Sequence, residues 1–251
     1  MIGFGLDLAG HTTNKTSLAA IESDGGRAQA VLLRHSSFAR KRAASPPVAA
    51  VILEEGRDLR RCIKLGPVAV DFPIDLQGLP RPDAPVEIWE LTKRPIDKKL
   101  GAMLPFADRI GAPVARFAAI GESANFGSVL GSNLFETYPS TIWQKLGIVA
   151  AGYKSRDKVR AKARTQACKA LCKNFRIEPL LENDDDINAI ICAVTAVAPE
   201  DHLCMPEEYG IKRLPLGFRL SRRNPFETIR VKEADFCEWM DSREKQIENQ
   251  I

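Results

Sequence analysis

Histidine is scarce in this chain, three in 251 residues, and none of His11, His35 or His202 stands at metal-ligand spacing from another His or Cys. The six cysteines form no Cys-x-x-Cys pair. A zinc knuckle or a redox dithiol is therefore not expected, and Cys62, Cys168, Cys172, Cys192, Cys204 and Cys237 read as reduced core thiols. No apolar run approaches the roughly 20 residues needed to span a bilayer. The first residues lack the basic and long apolar regions of a secretory signal, so a cytoplasmic location without membrane contact is the expectation. Internal repeats, low-complexity tracts and a clear domain linker are missing too. The formal charge of +4 leans only slightly toward anionic partners.

What remains is the composition of an ordinary globular protein, 45% hydrophobic and 27% charged, long enough for one large domain or two small ones. Ile2 to Leu8 is a short apolar run, "SLAAIES" a second strand candidate, and "DGG" at Asp24 to Gly26 reverses the chain into "RAQAVLLRHSS". These read as a three-stranded antiparallel meander. "SPPVAAVILEEGRDLRRC" opens like a helix, with Val48, Val51, Ile52 and Leu59 at helical intervals, and "PVAVDFP" is a buried-type strand. A right-handed crossover through the helix sets this fourth strand parallel to the first, and beside it.

Further along, "IDLQGLPRPDAP" reads as a loop, and "VEIWELTKRPIDKKLGAML" as a helical segment broken at Pro95. "GAPVARFAAIGESANFGSVLGSN" is too rich in small residues to place as a whole, although parts suit a helix. "LFETYPSTIWQKLG" reads as a strand ending near Glu136 to Tyr138 and a helix starting at Pro139. "YKSRDKVRAKARTQACKALCKNF" and "NDDDINAIICAVTAVA" are helices, "GIKRLPLGFRL" is a late strand or extended segment, and a polar helix follows Val231.

The first and fourth strands both end on an aspartate, Asp7 and Asp71. As parallel neighbours they deliver two carboxylates to one end of the sheet. At about 4 Å such charges repel by roughly 1 to 4 kcal/mol, so a shared proton or a divalent cation is needed to compensate. Asp185 and Asn188 lie three apart and share a helix face. With Glu136 they complete an oxygen-rich candidate site for Mg²⁺ or Mn²⁺, in which Asp7, Asp71, Asp185 and Asn188 hold metal and Asp7, Asp71, Glu136 and Asp185 act in catalysis. Two such ions would clamp a phosphodiester during hydrolysis. Asp184 and Asp186 are alternatives to Asp185, and first-turn acids also serve as helix caps. Glu136 has a plainer reading as the ion-pair partner of a neighbour such as Lys145. From Lys154 to Arg176 Asp157 is the only acid. Lys154, Arg156, Lys158, Arg160 and Arg164 are the candidate nucleic-acid-binding residues; a solvated basic face is the alternative.

Three strands with an acid on the first, a helix, a fourth strand ending in an acid and a late helix opening with acids resemble the ribonuclease H-like superfamily. "GLDLAG", "VAVDFPIDL", "RPIDKKLG", "FETYPSTIWQKLG", "YKSRDKVRAKAR" and "DDDINAIICAVTA" together resemble a family of predicted nucleases within it, the domain of unknown function family 429. The resemblance runs from the first residues to about Ala198. It implies a mixed α/β sheet flanked by helices, a domain over 1–198 with an insertion around 76–133, and an extension over 199–251 packed on the same domain. It also implies a metal-dependent nuclease with acids at Asp7, Asp71 and Asp185, acting on DNA or RNA. Glu136 matches the family's strand-end glutamate, Arg94 with Asp97 its arginine-plus-acid element, and Lys154, Arg160 and Arg164 its basic helix. Where the family commonly has a second helix acid this chain has Asn188.

Two other readings stand beside this one. A binding module that keeps the fold without turnover is favoured by Asn188, since an amide brings no charge to a cation. An actin-like or sugar-kinase-type phosphotransferase is suggested by "DLAGHTTNKTSLAAIE". It would need a second phosphate hairpin, and no convincing one is present.

Overall fold

The computed structural model describes residues 1–8, 16–24, 26–34, 48–74, 94–100, 111–124, 131–141, 158–203, 217–221 and 223–249. Seven strands form one mixed sheet: β1 Ile2–Asp7, β2 Ser17–Asp24, β3 Arg27–Arg34, β4 Val68–Val70, β5 Leu134–Glu136, β6 Ile177–Glu178 and β7 Thr228–Asp235. Their spatial order is β5-β4-β1-β2-β3-β7-β6. The pairs among β1, β2 and β3 are antiparallel and all others are parallel. The helices are α1 Val48–Leu65, α2 Pro95–Leu100, α3 Gly111–Ala124, α4 Lys158–Phe175, α5 Asp184–Val197 and α6 Phe236–Glu248. Among the described residues no helix is long and apolar enough to cross a membrane.

Strand parity sorts side chains into two cores, because successive residues point to opposite faces of a sheet. Phe4, Leu6, Leu18, Val31, Val68, Val70 and Leu134 face one side. There they pack with Leu59 and Ile63 of α1, Phe117 and Ile120 of α3, and Phe236 and Trp239 of α6. Ala19, Ile21, Ala30, Leu32 and Ile229 face the other, against Leu171 and Phe175 of α4 and Ile187, Ile190 and Val194 of α5. The result is a three-layer α/β/α sandwich.

Several expectations change. The chain after Val231 is not yet helical: β7 continues to Asp235 and pairs with β3 along its whole length, so the C-terminal segment supplies a sheet strand as well as α6. Pro95 starts a helix, and the part of the expected helical segment before Arg94 lies outside the described residues. Pro95 takes the first helical position, where its missing N–H costs nothing, while Asp97 Oδ2 accepts from the Arg94 backbone N–H at 2.9 Å. The small-residue stretch, in contrast, is helical in part, as expected, and supplies α3. Four of the cysteines are buried, but Cys237 is exposed on α6; Cys204 lies outside the described residues, as do all but the first residue of the loop expected over 74–85 and most of the helix expected after Pro139.

Candidate functional site

Asp7 ends β1 and Asp71 directly follows β4. These strands are hydrogen-bonded parallel neighbours with Leu6 opposite Val70, and the Asp71 N–H donates to the Leu6 carbonyl at 3.0 Å. The two aspartates therefore leave the sheet side by side at its C-terminal end. Each lies one residue beyond an inward-facing apolar residue, so parity turns both toward the α4/α5 face. At this point the chain leaves β1 toward β2 but leaves β4 toward β5. Such a divergence opens a crevice at the carboxyl ends of an α/β sheet, the usual place for a ligand.

Helix α5 lies across β1 on that face. Glycines make the close approach possible: Gly3 and Gly5 alternate with Phe4 and Leu6, and a Cβ on Gly5 would collide with the Ala189 carbonyl and Ala193 amide of α5. The approach delivers the start of the helix to the strand end, where Asn188 Nδ2 donates to Asp7 Oδ2 at 3.1 Å. One turn further on, Cys192 is fully buried. Burial, then the charges of Asp71 and Asp7, push its thiol well up from the ordinary range, so both carboxylates lie within electrostatic reach of that position.

The other acids of α5 serve different partners. Asn183 caps the helix by accepting from the Asp185 N–H at 3.2 Å. Asp186, 6% exposed, accepts from Ser17 Oγ at 2.6 Å and from Arg34 at 3.0 and 3.2 Å. It thus ties α5 to β2 and β3 beside Asp7, whose cross-strand partner is Ser17. Asp184 is buried. Asp185 is half-buried, and its charge, with that of Asp184, reaches Cys168 on α4, whose thiol burial chiefly raises to about 12.

Glu136 is placed on the opposite face. It pairs in register with Val70 itself, not with Asp71, so it points toward the other core. There it is 3% exposed and accepts from Arg94 Nη1 at 2.8 Å, Arg94 Nη2 at 2.5 Å and the Ile74 N–H at 3.3 Å. Arg94, 1% exposed, also donates to Asp97 at 2.9 and 2.8 Å. The ion-pair role stands, with Arg94 as partner; Lys145 lies outside the described residues. Burial raises the Glu136 carboxyl and Arg94 opposes the rise.

That triad makes a stability prediction. Arg94→Met strands two buried carboxylates, and losing one member of a buried pair costs about 3–5 kcal/mol, or roughly 6–20 °C in Tm at this chain length. Without the guanidinium the folded-state pKa of Glu136 rises further above its unfolded value. The folded variant then binds more protons than the unfolded chain, and its stability falls as pH rises. Thermal melts of both proteins at pH 7 and pH 5 should show the deficit narrowing at the lower pH; a deficit independent of pH would assign the loss to packing.

The basic residues are only partly placed. Lys154 and Arg156 lie outside the described residues, and Lys158 and Arg160 belong to α4 without described side chains. Arg164 is half-buried, and among the described residues its Nε has no hydrogen-bond partner. Of the histidines, His11 and His35 lie outside the described residues, and His202 sits in a short 3-10 turn over Glu200–His202.

Asp7, Asp71 and Asn188 are hard oxygen donors of the kind Mg²⁺ or Mn²⁺ takes, and rotating the Asn188 amide would turn its oxygen toward the carboxylates. Two carboxylates and an amide suit one hard cation that keeps several waters. Among the described residues no three His, Cys, Asp or Glu side chains are grouped to hold a metal, so, contrary to expectation, Asp185 is not gathered with Asp7 and Asp71, and neither is a second ion's ligand set. Two features were invisible in the sequence. One is the Ser17–Asp186–Arg34 network; the other is a buried pair across α1 and α3, in which Arg116 donates to Glu55 through Nε at 3.1 Å and through Nη2. No family model, curated protein or solved structure matches the chain.

Proposed function

We propose that the protein is a metal-dependent phosphodiester hydrolase of ribonuclease H-like type, acting on DNA or RNA in the cytoplasm. The observation that carries this reading is the pairing of Asp7 and Asp71 at adjacent parallel strand ends, against Asn188 of α5. The strand order β5-β4-β1-β2-β3, in which β2 alone runs against the others, supports it further. Asp7 and Asp71 would hold one Mg²⁺ or Mn²⁺, with Asn188 as a neutral third donor. Such an ion supplies Lewis-acid activation of a phosphoryl oxygen and a nucleophilic water near neutral pH. Glu136, held by Arg94, would fix the end of β5 from the other face.

The test is cleavage of labelled single-stranded, duplex and branched DNA and RNA. The expected outcome is cleavage of at least one substrate with Mg²⁺ or Mn²⁺, abolished by EDTA and by Asp71→Asn. Metal-dependent binding without cleavage would instead favour the non-catalytic module, the reading to which Asn188 points.

A further inference from the structure

The row of side chains that carries Asp7 and Asp71 continues onto the next strand outward. The Thr137 N–H donates to the Val70 carbonyl at 2.9 Å, so the β5 ladder runs one residue past Glu136. Thr137 therefore stands level with Asp71, as Glu136 stands level with Val70. Parity gives it the orientation of Phe135, which packs with Ala69 and Cys192 on the α5 face. Asp7 and Asp71 turn to that same face, so Thr137 flanks Asp71 on the side away from Asp7.

Five serines and threonines are buried among the described residues. Ser17 donates its hydroxyl to Asp186, while Thr141, Thr195 and Ser221 each donate to a nearby backbone carbonyl. Thr137 is the exception. It is 2% exposed, and among the described residues its Oγ1 has no hydrogen-bond partner. A stranded hydroxyl is destabilising, and such an orphan calls for an explanation. Valine would fill nearly the same space and suits a strand end equally well, so packing does not account for it.

The nearest explanation is the neighbouring carboxylate. Adjacent strands lie about 4.8 Å apart, which sets the Cβ atoms of Thr137 and Asp71 at a similar separation. The hydroxyl is one bond beyond its Cβ and the carboxylate oxygens are two bonds beyond theirs. A change of staggered rotamer at either side chain brings them within hydrogen-bond length.

We propose that Thr137 is a positioning residue for Asp71, its hydroxyl donating to one carboxylate oxygen when the other ligates a divalent cation. Ligating carboxylates are ordinarily held by such a hydrogen bond, which fixes the angle at which they meet the metal. The role rests on the cation reading of Asp7 and Asp71. It adds a residue of β5 to a site otherwise built from β1, β4 and α5.

The test is calorimetric titration of the full chain with Mn²⁺, together with thermal melts in the absence of metal. Thr137→Val is expected to bind Mn²⁺ about tenfold more weakly, with a metal-free Tm equal to or above that of wild type because the stranded hydroxyl is gone. Thr137→Ser keeps the hydroxyl and should bind Mn²⁺ like wild type, even where the lost methyl group lowers its Tm. Thr137→Ala should weaken Mn²⁺ binding as valine does, so the reading does not depend on one variant folding. A threonine with a purely structural role would behave in the opposite way, valine lowering the metal-free Tm and leaving Mn²⁺ affinity unchanged.

Wild-type Mn²⁺ affinity in folded Thr137→Val or Thr137→Ala would overturn the role of Thr137 and leave the cation reading standing. A loss in Thr137→Ser as large as that in Thr137→Val would overturn it too, assigning the effect to packing. A wild-type protein that binds no Mn²⁺ would overturn both.

Discussion

Asp7→Asn should abolish divalent-cation binding without unfolding the protein. The substitution keeps the shape of the side chain and an oxygen that can still accept from Asn188 Nδ2, so the contact between β1 and α5 survives. What disappears is one of the two carboxylates side by side at the ends of β1 and β4. Altering a group that merely touches a metal ligand costs about 10–100-fold in affinity, and removing a charged ligand from a site with only two should cost more than 100-fold. Calorimetric titration with Mn²⁺ and Mg²⁺ reads this directly. Melting temperature gives a second reading, since an ion at 100 times its Kd stabilises the folded state by about 2.7 kcal/mol. The Mn²⁺-dependent rise in Tm should be present in wild type and absent in Asp7→Asn. Asn188→Asp should move the other way in the presence of metal, because it adds a charge where the amide now sits. If wild type binds neither ion, the paired carboxylates hold no metal.

The pairing behind that experiment was legible because it depends on few assumptions. Two apolar runs ending on aspartate, a helix between them and the handedness of the crossover suffice to place β1 beside β4. Strands β1 to β4 also announce themselves, since residues such as Val68, Ala69 and Val70 are buried on both faces and read as continuous apolar runs. Strand β7 does not. Arg230, Lys232 and Glu233 break its apolar run, and its pairing with β3 along its length and with β6 at Ile229 and Arg230 holds "TIRVKEAD" extended; tertiary context overrides a local pattern that suits a polar helix equally well.

Glu136 shows where sequence reasoning stops. Its position at a strand end was readable, but its face was not, because that depends on register to the single residue. Asp71 lies one beyond Val70, whereas Glu136 is opposite Val70, and this offset separates it from the carboxylate pair by the thickness of the sheet. Its partner Arg94 lies 42 residues away in the chain, across a stretch with no pattern to fix the approach. The same holds for Arg34 and Asp186, 152 residues apart. The acids of α5 were visible as a group; which of them meets a strand was decided by the rotation of the helix, set by glycines on β1.

Those glycines carry the largest structural effect expected. On Gly5→Ala the new methyl group would overlap the Ala189 carbonyl oxygen and the Ala193 amide nitrogen, and lie 2.7 Å from Cys192 Cβ. The first two are backbone atoms within a helix and cannot turn aside, so the whole of α5 must lift from β1. Ordinary overpacking costs about 1–3 kcal/mol; displacing a buried helix should exceed roughly 4 kcal/mol, a large share of the 5–15 kcal/mol that typically holds a domain together. Gly26→Ala is the matched control. Gly26 has φ +92° and open space around its Cα, so alanine there meets only backbone strain of about 1–2 kcal/mol. Thermal unfolding should separate the two substitutions clearly, with Gly5→Ala melting at least about 8 °C below wild type or failing to fold. Any Gly5→Ala protein that does fold has α5 displaced, and with it Asn188 from Asp7. Its Mn²⁺ affinity should then fall although no ligand has changed. A variant that melted like Gly26→Ala and bound Mn²⁺ like wild type would show that α5 does not need to lie this close to β1, and that the carboxylates work without Asn188 pressed against them.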